Sequence, residues 1–178
     1  MKKTLLVIFL VFSLNVWSQQ NLSILSGTKL TRGLGYENPG YVVSVQNELW
    51  KGKVFSEINY NTANKYTGRG YVVGASSQFR HKIKKDYFVG GGFYYSQTIT
   101  DWIKTSIAPL LSVGNRKFWV EYHFPDNTIN STQDVVIRMR IWRIQPEFSI
   151  LSFIQSGQRH WGYYEKISFI LFEWGQNN

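Results

Sequence analysis

The chain has 178 residues and a formal net charge of +9, with 43% hydrophobic and 17% aromatic residues, a usual size and make-up for one domain. It has no cysteine, which excludes a disulfide framework and a lipid anchor made on a cysteine, and three histidines leave few ligands for zinc, so no metal and no cofactor is expected. Seven Trp and eleven Tyr exceed what a soluble core needs and suit an interface where the ring is apolar and its polar tip stays wet.

The first residues read as an address. Lys2 and Lys3 precede an apolar run from Leu5 to Val16, followed by Val16-Trp17-Ser18, which is the pattern of a secretory signal peptide. A run of about 12 residues is short of the roughly 20 that a spanning helix needs. Residues 1–18 are therefore assigned to the leader and 19–178 to one domain. Loss of Lys2 and Lys3 lowers the formal charge from +9 to +7. An exported chain seldom meets nucleic acid, so a polyanion at the cell envelope is the better match for that charge.

Downstream, helical spacing is nearly absent and alternation with period two dominates. A less regular first strand falls near Asn21 to Thr31. Next, Tyr41, Val43, Val45 and Leu49 share one face, with Ser44, Gln46 and Glu48 on the other. After a Lys51-Gly52 turn, Val54, Ile58 and Tyr60 oppose Lys53, Glu57, Asn59 and Asn61. Tyr71, Val73, Ala75 and Phe79 then alternate with Gly74, Ser76, Gln78 and Arg80, and Tyr87, Val89, Phe93 and Tyr95 with Gly90, Gly92, Tyr94 and Ser96. Ile103, Ile107, Leu111 and Val113 oppose Lys104, Ser106 and Ser112. Phe118, Val120, Tyr122 and Phe124 oppose Trp119, Glu121 and His123, and Val135, Ile137, Met139 and Ile141 oppose Arg138 and Arg140. A ninth strand near Phe148 to Gln155 and a last near Tyr163 to Trp174 are less regular.

The connections alternate in kind. Short turns are expected at Lys51-Gly52, Lys84-Lys85-Asp86, Gly114-Asn115 and Gln145-Pro146-Glu147. Polar loops are expected at Arg32 to Gly40, Thr62 to Gly70, Thr98 to Asp101, Asp126 to Gln133 and Ser156 to Gly162. Ten strands of about 10 residues match a tilted bilayer crossing. Pro109 lacks a ladder donor and is expected at a bulge.

With this alternation of faces and turn lengths, the mature chain resembles the small bacterial outer-membrane β-barrels. The resemblance implies an all-β, single antiparallel up-and-down transmembrane barrel of about ten strands, with eight as the alternative. It further implies outer-membrane location, short turns and both termini on the periplasmic side. Outer-membrane lipid, lipopolysaccharide and the outer-membrane assembly machinery are the partners implied, with a monomer favoured and no nucleic acid. Members often end on an aromatic residue that assists assembly; here Phe172 and Trp174 precede Gly175 to Asn178.

In such a barrel Glu48, Glu57, Arg80, Lys104, Glu121, Arg138 and Arg140 form a lumen charge network, because unpaired buried ions cost several kcal/mol each. His123 and Glu121, two apart on one face, are the candidate acid/base pair, with Ser96, Ser106 and Ser112 as inward hydroxyls and no motif selecting one. Lys65, Tyr66, Arg69, Arg159, His160 and Trp161 mix cations and aromatics in the loops, which suits glycan or lipopolysaccharide phosphate. Gly90-Gly91-Gly92 reads as close packing, since no helix follows to bind phosphate. The function expected is a structural, adhesive or protective envelope role. The alternatives are a narrow pore, a hydrolase or acyltransferase of envelope lipid, and a soluble secreted or periplasmic lipocalin-like barrel with the apolar faces turned inward.

Overall fold

A computed structural model describes residues 21–33, 36–63, 70–84, 86–99, 103–126, 132–155 and 157–175. The expected leader, residues 1–18, lies outside them. Ten strands follow in order: β1 (Asn21–Gly33), β2 (Tyr36–Leu49), β3 (Val54–Ala63), β4 (Gly70–Lys84), β5 (Tyr87–Ile99), β6 (Ile103–Asn115), β7 (Phe118–His123), β8 (Gln133–Met139), β9 (Ile144–Gln155) and β10 (Gln158–Trp174). Each pairs antiparallel with its sequence neighbours and β10 pairs with β1, so the sheet closes with up-and-down order. The count is ten rather than eight.

Closure gives the alternation a physical meaning, because one face of every strand now lines an interior. Phe79, Phe93 and Leu171 point outward and are 69%, 65% and 64% exposed, and Val43, Ile107, Leu111, Val113, Ile150 and Phe169 share that outer face. Inward positions hold Ser44, Gln46, Glu57, Gln78, Glu121 and Arg138, all buried. A lipocalin-like barrel, whose apolar faces would turn inward, is thereby excluded.

Several boundaries differ from expectation. Residues 32 and 33 belong to β1 and 36–40 to β2, so the expected loop from Arg32 to Gly40 is almost all strand. The expected loop from Ser156 to Gly162 likewise shrinks to a tight connection at Gly157, whose φ is +78°, and Arg159, His160 and Trp161 stand on β10. Gln145-Pro146-Glu147 is not a turn. The chain reverses at Trp142-Arg143, where Ile141 and Ile144 exchange both backbone hydrogen bonds, and Pro146 sits inside β9 opposite Ile167 of β10. The β8–β9 ladder stops at Arg138 and Glu147 and resumes at that bridge, so the proline interrupts it locally instead of ending the strand.

Pro109 is not at a bulge either. It pairs in register with Phe93, and its carbonyl accepts from the Phe124 amide at 2.9 Å, so its N–H side faces the place where β7 has already ended. The β5–β6 register is kept there, but proline cannot give Phe124 the second bond of the pair, and β7 ends one residue earlier, at His123. A bulge occurs instead between β1 and β10: Ile24 pairs with Phe172 and Leu25 with Ile170, leaving Leu171 as the extra residue.

Candidate functional site

Inward side chains divide the lumen into three tiers. Nearest the short turns, the Arg80 guanidinium lies between the rings of Phe55 and Phe88, 4.0 and 4.2 Å from their centroids. Trp119 packs edge-on against Phe55. Glu48 approaches Arg80 to 3.7 Å and Arg116 to 3.6 Å. A planar, weakly hydrated guanidinium suits this stack better than an ammonium would.

The middle tier is an ionic knot. Arg138 of β8 pairs with Glu57 of β3, with Glu121 of β7 at 3.5 Å and with Glu147 of β9 at 2.9 Å. Lys166 of β10 reaches Glu147 at 2.6 Å and Glu57 at 4.0 Å. Glu121 also accepts from Gln78 at 2.9 Å and from the Trp119 indole at 3.0 Å, while Gln78 accepts from Ser112. The Tyr164 hydroxyl donates to Glu147 at 2.8 Å. The knot spans the interior from β3 to β10, and each of its acids and bases is at most 5% exposed. Such a group is tolerable in a low-dielectric interior because nearly every charge has an opposite one in contact.

Above it, towards the longer connections, a cavity of about 260 Å³ opens between β1, β3 and β5 to β10. His123 lies on its wall, stacked on Tyr94 with centroids 4.8 Å apart, its Nδ1 2.7 Å from Asp134 and its Nε2 3.4 Å from Glu121. Lys29 on the facing side stands 3.9 Å over the Tyr164 ring.

Of the expected network, Glu57, Arg80, Glu121 and Arg138 are buried in the lumen and Glu48 is half-buried at its turn end. Arg140 stands apart from the knot, at the short-turn rim, paired with Glu173. Lys104 lies on β6, with its side chain outside the described residues. Lys65, Tyr66 and Arg69 also lie outside them, whereas Arg159 and Trp161 are exposed on β10 and His160 is half-buried. Arg159 donates to the Ser152 hydroxyl at 2.8 Å.

Glu121 and His123 are adjacent, as their spacing indicates, but their partners are Arg138, Gln78, Trp119 and Asp134. Ser112 instead donates to Gln78, and Ser106 to Asp126 at 2.8 Å. Lys29, Asp134, Glu147, Tyr164 and Lys166 join the site without being among the residues expected from the sequence. Glu147 was hidden by the mistaken turn. Alternation of Tyr164, Lys166 and Ser168 against Tyr163, Glu165 and Ile167 was the available signal for Lys166.

No family model matches the sequence, and no curated protein sequence does. Among solved structures, the chain is similar to Neisserial surface protein A (NspA), at 10% identity over 86% of this chain and 97% of that one, with a TM-score of 0.35. It is also similar to the N-terminal β-barrel domain of Pseudomonas aeruginosa OprF, at 9% identity over 85% of this chain and 98% of that one, with a TM-score of 0.38.

Proposed function

We propose that the chain is an integral outer-membrane β-barrel with a structural, adhesive or protective envelope role, and that its plugged lumen conducts no solute. One observation carries this reading: a closed barrel turns most of its large apolar side chains outward and encloses a cluster of charges. A soluble protein rarely exposes so much apolar surface, whereas a barrel has no free edge and can place that face in lipid. The Arg138 knot supports the second part, since it fills the section that a pore would need open. Arg159 and Trp161, exposed at the loop end of β10, are the described residues best placed to meet lipopolysaccharide phosphate.

Fractionation and planar-bilayer recording test the two parts separately. The protein should sediment with membranes, resist carbonate extraction and need detergent for release. Recovery from the soluble fraction would defeat the membrane reading. Purified protein should add no unitary current steps to a planar bilayer, and reproducible steps would defeat the plug.

A further inference from the structure

Among the described residues, the short-turn end of the barrel gathers exposed cations and the non-glycine residues of positive φ. Lys51 and Lys53 in the β2–β3 turn, Lys82 and Lys84 at the end of β4, Arg116 and Lys117 in the β6–β7 turn and Arg143 in the β8–β9 turn are all exposed. Against them, Asp86 and Glu173 are the exposed carboxylates at that rim among the described residues, and Glu173 is already paired with Arg140. Arg116 also lies 3.6 Å from Glu48. At the opposite rim the described residues offer Arg32 and Arg159.

Three exposed tryptophans share this rim: Trp50 in the β2–β3 turn, Trp142 in the β8–β9 turn and Trp174 at the end of β10, at 59%, 84% and 69% exposure. Two of them hold positive φ, 51° at Trp50 and 52° at Trp142. Glycine or asparagine would take that conformation at less cost, and for a bulky residue it is an outlier. Within its own turn Trp142 has the Arg143 guanidinium 6.0 Å from its ring centroid. A strained, solvent-directed indole implies a return from contact with something outside the chain.

Outward apolar strands that end in turns carrying both exposed indoles and cations present the chemistries a bilayer surface offers, acyl chain, glycerol backbone and phosphate. We propose that the short-turn rim is a docking surface for anionic glycerophospholipids, with Trp50, Trp142 and Trp174 at the glycerol level and the turn lysines and arginines on the phosphates. This rests on the membrane reading above and adds to it a leaflet and a headgroup class. An acidic macromolecule in the aqueous phase would account for the cations but leave the tryptophans unexplained.

The test uses the full chain inserted into phosphatidylcholine bilayers that carry a trace of spin-labelled phosphatidylglycerol or spin-labelled phosphatidylcholine. The immobilised fraction of each label measures which lipid the protein holds. Wild type should hold phosphatidylglycerol about fivefold better than phosphatidylcholine, with the preference shrinking as salt rises. A variant carrying Lys51→Gln, Lys53→Gln, Lys117→Gln and Arg143→Gln alters only exposed turn side chains and should lose most of the preference. Insertion is scored in the same samples by protease resistance and heat-dependent electrophoretic mobility. Inserted protein without headgroup preference, or a preference unchanged in the variant, overturns the docking surface and leaves the membrane reading intact. Failure to insert overturns both.

Discussion

Arg138 holds three carboxylates at once, from β3, β7 and β9, while it is itself buried. Removing one member of a buried pair typically costs about 3 to 5 kcal/mol, because the remaining ion stays desolvated without compensation. Arg138→Met should therefore lower the stability of the detergent-folded barrel by at least that much, read as an earlier midpoint in urea unfolding. Arg138→Lys should recover only part, since a compact ammonium cannot reach three acids in a fixed fork. An Arg138→Met barrel as stable as wild type would show that the knot contributes nothing to the fold. Glu57, Glu121 and Arg138 were legible as inward charges from alternation alone. Their mutual contact was not. Period two reports the face a residue is on, whereas meeting across the lumen depends on strand tilt and register, which no single strand encodes.

At the scale of elements, β2 to β8 were readable because one residue per rung keeps apolar side chains on one face. The alternation is lost where that spacing breaks. Leu171 is an extra residue, so Leu171 and Phe172 both point outward and β10 looks irregular in sequence. Pro146 looked like a turn residue because proline more often punctuates a sheet than sits within it, and the error hid Glu147. The triple glycine of β5 behaves differently at neighbouring positions. A Cβ on inward Gly92 would overlap the Ser77 carbonyl and crowd the Gln78 Cα, whereas one on outward Gly91 would make an ordinary contact, 3.6 Å from Leu111 Cδ2. Gly92→Ala should cost about 1 to 3 kcal/mol by overpacking, and Gly91→Ala should be tolerated. Thermal unfolding of the two variants in one detergent checks this, and equal behaviour would refute the close approach of β5 to β4.

For the whole molecule, the seam deserves the same treatment as any other ladder, since β1 and β10 pair from Leu22 with Trp174 to Gly33 with Gly162. Energetically the barrel is then a ring of antiparallel pairs in which the seam is one rung system among ten. Asn21 at the start of β1 and Trp174 at the end of β10 lie together at the rim that also carries the short turns. Joining them by a short linker and opening the chain at Gly52, in the β2–β3 turn, should give a circular permutant that refolds in detergent with the same heat-dependent mobility. A permutant that only aggregates would mean that a particular strand must pair last. If it folds, the ring has no structural beginning, and any preference of the cell for Phe172 and Trp174 near the carboxyl terminus belongs to delivery of the chain and not to its final shape.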